Sequence, residues 1–359
     1  AYLLHFNSDM HSGVFKKIQD QVKWWIKFKN EVKLFILTRN YDLKNSIINS
    51  ELKDIVEIEV YVPNLDLYSL NKRLKAFNNI TKDILRWNPD IVYTRQDLFY
   101  PNILKLRKKP LVIEINTYDL GEFFLSSKIR YIYNLITRHI LLSTASGFVY
   151  VTSELSQMRA YKKYRKPSVI IANGIDLGEI ESLSPSKKED INLVFLGERG
   201  HPWHGIDKIV ILAKYFPQWK FHLVGIEKEE LSDSPVNVMC YGFLKVSDYI
   251  KLLESCDIAI GTLALHRNGM NEASPLKVRE YLAFGIPVII GYKDTDFPNG
   301  SEFILQLPNI ENNIINNISK IEEFVLSWKG KRVSRDKILH IGSEEKERQR
   351  LSFFKSILE

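Results

Sequence analysis

Residues 271–290 read NEASPLKVREYLAFGIPVII. Ser274-Pro275 has the composition of a helix start, and Gly285-Ile286-Pro287 that of a helix stop ahead of a β-branched run. The stretch therefore predicts a short helix from about Leu276 and a buried strand over Ile286 to Gly291. The unpaired N–H groups and the positive dipole end of such a helix favour a phosphate or pyrophosphate at the preceding loop, with no metal required. Glu280 follows early in the helix and can accept two hydrogen bonds from vicinal ribose hydroxyls, as an acidic residue does in dinucleotide folds. Glu272 lies in the loop, placed for sugar hydroxyls. The plain structural readings are a carboxylate complementing the helix dipole for Glu272 and a solvated helix face for Glu280.

Upstream, the same alternation recurs. Short apolar runs at Ile191 to Gly197, Trp219 to Gly225, Val236 to Tyr241 and Asp257 to Gly261 read as strands, with helices from Ile206 and Val246. The first half reads alike. Its strands are expected at Tyr2 to Phe6, Val32 to Thr38, Ile55 to Val62, Ile91 to Thr94, Leu111 to Ile115 and Gly147 to Thr152. Its clearest helices are Val14 to Lys29, Ser69 to Trp87, Ser126 to Leu142 and Glu154 to Tyr164. This β-α order implies two parallel, doubly wound sheets whose ligands bind beyond the carboxyl ends of the strands. Lys166 to Asp190, with Pro167, Asn173-Gly174 and Pro185, has the composition of an interdomain connection. The expected division is residues 1–172, 173–340, and a C-terminal helix at 341–359.

The 359 residues exceed what one core usually serves. A hydrophobic fraction of 45% with 26% charged residues is that of a globular chain, not a disordered or membrane-spanning one. The best apolar run, Tyr131 to Val151, is interrupted by Arg138 and His139 and falls short of a span. The opening residues AYLLHFNSDM read as a buried strand rather than an export signal, so a cytoplasmic location is expected. Cys240 and Cys256 alone exclude a disulfide framework. Residues 1–170 hold 27 Lys+Arg against 16 Asp+Glu, and 171–359 hold 23 against 27, so the halves carry +11 and −4. The basic half is expected to face something anionic or to be simply a solvated basic surface. The helix FKKIQDQVKWWIKFKN, Phe15 to Asn30, stripes Val14, Ile18, Val22 and Trp25 beside Trp24 and Phe28, with lysines around the rest. Its two readings are an anionic membrane interface and a core-packed helix with a basic outer face.

Two glutamates with seven residues between them, followed by Gly-x-Pro-Val before a strand, resemble the donor signature of glycosyltransferase family 4, a retaining family with the GT-B fold. Ile171-Ala-Asn-Gly-Ile-Asp176 is similar to that family's Asn-Gly-Val-Asp segment, and Leu196-Gly-Glu-Arg199 to its Gly-Arg after the first strand of the second domain. The resemblance is strongest over 171–290, and its nearest subgroup is the enzymes of bacterial surface-polysaccharide assembly. It implies two Rossmann-like domains facing across a cleft, the C-terminal helix returning to the first.

Residue by residue, the resemblance implies that Arg199 clamps the donor diphosphate, that Glu280 binds ribose, and that Glu272 with the backbone of Ala273, Ser274, Pro275 and Leu276 holds the transferred sugar. Gly13, before a long helix, matches the family's glycine-rich first loop. The family's Lys-Gly after its arginine is here Trp203-His204-Gly205, so His204 or Lys208 is expected to supply the missing group. The family's histidine after the Leu111 to Ile115 strand is absent, and Asn116 is the candidate in its place. Arg95, Asp119 and Glu122 are candidate acceptor-side groups, with an ordinary surface pair as the other reading of Arg95 and Asp119.

The implied reaction is transfer of a sugar from a UDP- or GDP-sugar, with retention and without cofactor or metal, to a glycan or lipid-phosphate-linked acceptor. A catalytically silent nucleotide-sugar-binding partner and a GT-B sugar-nucleotide epimerase or phosphorylase are the alternatives. Nucleic-acid binding lacks any recognisable module.

Overall fold

The computed structural model describes residues 1–10, 12–48, 50, 52–61, 67–198, 200–231 and 233–359. The chain divides into two compact units, 1–172 with 343–359, and 173–342.

In the first unit the strands are β1 (Tyr2–His5), β2 (Leu34–Thr38), β3 (Val56–Val60), β4 (Val92–Arg95), β5 (Leu111–Ile115), β6 (Gly147–Tyr150) and β7 (Ser168–Ile170). Among the described residues they form one parallel sheet in the order β3-β2-β1-β4-β5-β6-β7. Every residue of β2 and β5 is buried, as a strand covered on both faces must be. Helices α1 (Gly13–Lys27), α2 (Tyr41–Ile48), α3 (Leu67–Trp87), α4 (Asp119–Ser126), α5 (Lys128–Thr144), α6 (Ser153–Gln157) and α7 (Arg159–Lys162) supply the crossovers. The helix expected over 126–142 is thus two: Ser127 ends α4 and caps α5 by accepting from Arg130 N–H. Met158 likewise divides the helix expected over 154–164.

The second unit repeats the plan with β8 (Asn192–Leu196), α8 (Ile206–Tyr215), β9 (Lys220–Val224), β10 (Val238–Cys240), α9 (Val246–Glu254), β11 (Ile258–Ile260), β12 (Glu272–Ala273), α10 (Leu276–Ala283), β13 (Val288–Ile290), β14 (Lys293–Asp294), β15 (Ile304–Gln306) and α11 (Ile318–Trp328). Its main sheet is parallel in the order β10-β9-β8-β11-β13-β15, and β12 pairs with β14 apart from it. The strand order reverses beside β1 in the first sheet and beside β8 in the second, so each unit has its topological switch point there.

The last helix, α12 (Ser343–Leu358), belongs to the first unit. Phe353 and Phe354 join the core made by Tyr2, Phe15, Val22 and Trp25. Beneath them lies a buried ionic network. Glu114, fully buried, accepts from Lys17 Nζ at 2.8 Å and from Arg350 Nη1 at 3.4 Å. Arg350 also donates to Glu347 at 2.9 Å and to Tyr93 Oη at 2.6 Å, and Trp25 Nε1 donates to Glu347 at 2.7 Å.

Candidate functional site

At the switch point of the second unit the backbone closes up so tightly that two positions must be glycine. A Cβ on Gly225, at φ +83°, would meet the Gly197 carbonyl oxygen at 1.9 Å, and one on Gly197 would meet the Phe195 ring at 2.3 Å. The loop leaving β8 begins at this close approach. Arg199, expected to clamp a diphosphate, lies in that loop and outside the described residues.

The loop of Glu272 to Pro275 is held by a buried arginine. Arg279, with no exposed surface, makes a two-pronged pair with Asp294 at 2.7 and 2.9 Å, and donates to Ser274 Oγ at 2.8 Å. Ser274 Oγ also accepts from the Asn173 backbone N–H at 3.0 Å, and Asn173 Nδ2 donates to the Ser274 carbonyl at 2.5 Å. Burial opposes the charge of Arg279, but Asp294 and Asp296 outweigh it and raise its pKa, so the guanidinium stays charged. The serine side chain thus fixes the loop from inside, leaving backbone rather than hydroxyl as what it offers a ligand. Ala273 pairs with Asp294 in the β12–β14 ladder and its carbonyl accepts from Thr295 N–H. Glu272 lies 3.4 Å from Lys293 Nζ. Pro275 stands at the N-cap of α10 and makes no side-chain cap hydrogen bond. Glu280, partly exposed on α10, stands beside the buried Tyr249, whose pKa is raised first by burial and then by the Glu280 charge.

One cation belongs to this cluster that sequence reasoning missed. Lys277 stands in the first turn of α10, where a positive charge opposes the helix dipole. Its Nζ donates to the Leu196 carbonyl at the end of β8 at 2.8 Å and lies 4.2 Å from the centre of the Phe195 ring. Burial lowers its pKa to about 7, against the pull of Glu198. A lysine at a helix start was the available signal, since such a charge costs stability unless something anionic repays it.

The two residues expected to supply the missing group, Lys208 and His204, are placed differently. Lys208 is buried, and its ammonium donates to the Ile310 carbonyl at 2.7 Å, to Asn313 Oδ1 at 3.1 Å and to the Leu263 carbonyl at 3.4 Å. It pins α8 to the segment after β15. His204 does lie at the β8 end, 3.1 Å from a Cβ placed on Gly197. Burial first, then Lys277 and His201, lower its pKa to about 2, so the ring is neutral. Among the described residues its buried Nδ1 has no hydrogen-bond partner, which leaves it able to make an uncharged hydrogen bond to a ligand.

In the first unit, Gly13 opens α1 as an exposed residue, and Ser12 caps that helix through Phe15 N–H. Asn116 accepts from Lys17 at 3.2 Å and donates to Glu114 at 3.1 Å, so it is an outlier of the buried network. Arg95 approaches Glu114 at 3.7 Å, not Asp119. Asp119 is buried, with both oxygens engaged by Arg138 at 2.8 and 2.9 Å, Asn134 at 2.7 Å and Tyr161 Oη at 2.8 Å. This corrects its assignment to an acceptor: it fastens α4 to α5 and α7. Glu122, nearby on α4, is exposed. Of the two readings of the Phe15 to Asn30 helix, the burial of its tryptophans favours the core-packed one. Trp24 and Trp25 are buried, Trp25 by the Glu347 contact, and Lys17 points inward to Glu114, so α1 is a core helix.

Among the described residues no group of three or more His, Cys, Asp or Glu could hold a metal, and no helix is long and apolar enough to cross a membrane.

No protein-family model and no curated protein matches the sequence. Solved structures do. Sucrose-phosphate synthase from Thermosynechococcus elongatus is 15% identical with a TM-score of 0.65, over 99% of this chain and 96% of that one. Anabaena HepE, solved in complex with UDP and glucose, is 15% identical with a TM-score of 0.65, over 99% of both chains. UDP-GlcNAc 2-epimerase from Neisseria meningitidis, bound to UDP-GlcNAc, is 14% identical with a TM-score of 0.56, over 99% of this chain and 100% of that one. What they share with this chain is the GT-B fold, built of two Rossmann-like α/β units.

Proposed function

We propose that the chain is a glycosyltransferase that moves a sugar from a UDP- or GDP-sugar to a glycan or lipid-linked acceptor in surface-polysaccharide or glycolipid synthesis, with retention of configuration. The observation that carries the reading is the cluster at the β8 switch point: Lys277 at the start of α10, Glu280 one turn on, and Glu272 in a loop fixed by Arg279. Each part suits one part of a nucleotide-sugar. The helix start and Lys277 take the diphosphate, Glu280 the ribose hydroxyls, and Glu272 with the Ala273 to Leu276 backbone the sugar.

In the proposed reaction the bond from the sugar's anomeric carbon to the diphosphate breaks while the acceptor oxygen bonds to the same face. The acceptor's proton passes to a leaving phosphate oxygen, so no protein base is needed. Negative charge grows on the diphosphate, and Lys277, Arg199, the α10 N-terminus and a neutral hydrogen bond from His204 stabilise it. Cationic side chains carry that load, so the reading requires no metal. It has the chain working in the cytoplasm.

The first test is a thermal-shift screen against UDP, GDP, ADP, CMP and dTDP without metal. A nucleotide at 100 times its dissociation constant adds about 2.7 kcal/mol of stability. One nucleoside diphosphate is expected to shift the melt, and Glu280→Ala is expected to weaken its binding about 10- to 100-fold by titration calorimetry, the loss of charged hydrogen bonds to ribose. Wild-type affinity in that variant would remove Glu280 from the donor site. The likeness to a nucleotide-sugar epimerase keeps a second reading in view. Conversion of the nucleotide-sugar with no acceptor present, followed by NMR, would select it.

A further inference from the structure

Over residues 129–138 helix α5 is built inside out, before Leu141 and Leu142 turn into the core. Its buried positions include Asn134 and Arg138, both tied to Asp119, while Ile129, Ile132, Leu135 and Ile136 face solvent. Ile129 is 79% exposed and Ile136 64%. On the adjoining α4, Phe124 and Leu125 are exposed as well, and the Phe124 ring meets Tyr131 of α5 edge-on at 5.4 Å. A helix pair that turns its polar residues inward and its large apolar residues outward leaves a contiguous greasy face, of a kind monomeric soluble proteins seldom show.

The charges around that face are mostly basic. Lys128 and Arg130 rise from the first turn of α5 and are exposed. The 3₁₀ segment Pro101–Lys108 packs beside α5, with Tyr133 Oη donating to the Phe99 carbonyl at 2.6 Å, and exposes Lys105, Arg107 and Lys108. Glu122 is the one exposed acid among the described residues of α4 and α5. Residues 1–170 as a whole carry the +11 excess.

We propose that the α4–α5 face docks on an anionic lipid bilayer, its isoleucines and Phe124 entering the headgroup and acyl boundary while the flanking lysines and arginines meet the lipid phosphates. Apolar burial and attraction to anionic headgroups add in such binding. A soluble partner's apolar surface would account for the isoleucines but not for a mostly basic rim. The inference stands apart from the sugar-transfer reading, because vesicle binding is measured without catalysis.

The test is co-sedimentation of the full chain with vesicles of phosphatidylcholine alone or with about 30% phosphatidylglycerol, at salt raised from about 0.1 to 0.5 M. The chain is expected to sediment with the anionic vesicles, to bind the neutral ones far less, and to be released as salt rises. Ile129→Glu with Ile136→Glu is expected to weaken binding more than about tenfold, and Lys128→Ala and Arg130→Ala about fivefold each. All four positions are exposed, so the melting temperature is expected to hold. No binding of the wild-type chain to anionic vesicles, or equal binding by the double glutamate variant, overturns the proposal. So does concentration-dependent self-association that the double variant abolishes while vesicles are ignored, which would make the face an interface between copies.

Discussion

Replacing Glu114 by leucine is expected to destabilise the first unit by about 3–5 kcal/mol, because it leaves Lys17 and Arg350 charged in the core with half their counter-charge gone. The carboxylate is fully buried and meets Lys17 at 2.8 Å, Arg350 at 3.4 Å and Arg95 at 3.7 Å. Burial alone would raise its pKa; Lys17, then Arg350 and Arg95, hold it far below the usual carboxylate range. The midpoint of urea unfolding is expected to fall by more than about 1 M. The double variant Lys17→Met with Glu114→Leu, which removes charge from both sides, is expected to recover part of the loss. A single-variant loss under about 1 kcal/mol would show the network to be solvated. The pH dependence has a fixed sign. A carboxylate with a depressed folded pKa contributes its stability above the ordinary value of 4.5 and loses it as pH falls below that value. Glu114→Gln is expected to flatten that acid limb.

Replacing Lys277 by methionine is expected to lower the proposed transferase's kcat/KM by about 10² to 10³, the cost of removing one preorganised charge from a leaving group. The pH profile separates this role from a structural one. With its pKa lowered to about 7, Lys277 is charged below that pH and loses its proton above it. Wild-type kcat/KM is therefore expected to decline on the alkaline side of about 7, and the methionine variant to lack that limb while keeping its melting temperature within a few degrees. An unchanged rate, or an alkaline limb that persists in the variant, would take Lys277 out of the chemistry.

The parts of the molecule legible in the sequence are those decided locally. Buried parallel strands such as LFILT and LVIEI are continuous apolar runs, and Pro275 and Gly285 bracket α10 as their backbone preferences require. Two edge strands escaped: the three-residue β7 is largely exposed and β15 has only one buried position, so neither reads as a buried apolar run. Partners far along the chain escaped for another reason. Nothing near Lys208 announces Ile310 and Asn313, and nothing near Asp119 announces Arg138 and Tyr161, so candidate ligands proved to be internal fastenings. Helix α1 shows the limit of periodicity. The pattern identifies an amphipathic helix, but burial of Lys17 and both tryptophans depends on Glu114 and Glu347.

The placement of α12 also orders events in time. Residues 343–359 complete the core of the first unit and bring Arg350 to Glu114, yet they leave the ribosome after all 170 residues of the second unit. At roughly 5–20 residues per second, the emerged first sheet waits on the order of 10–30 s for its last helix. Throughout that interval Lys17 and Glu114 lack their arginine, and the apolar surface that Phe353 and Phe354 will cover stays open. The second unit, continuous in sequence, can close first, so the half of the protein made earliest is the half finished last.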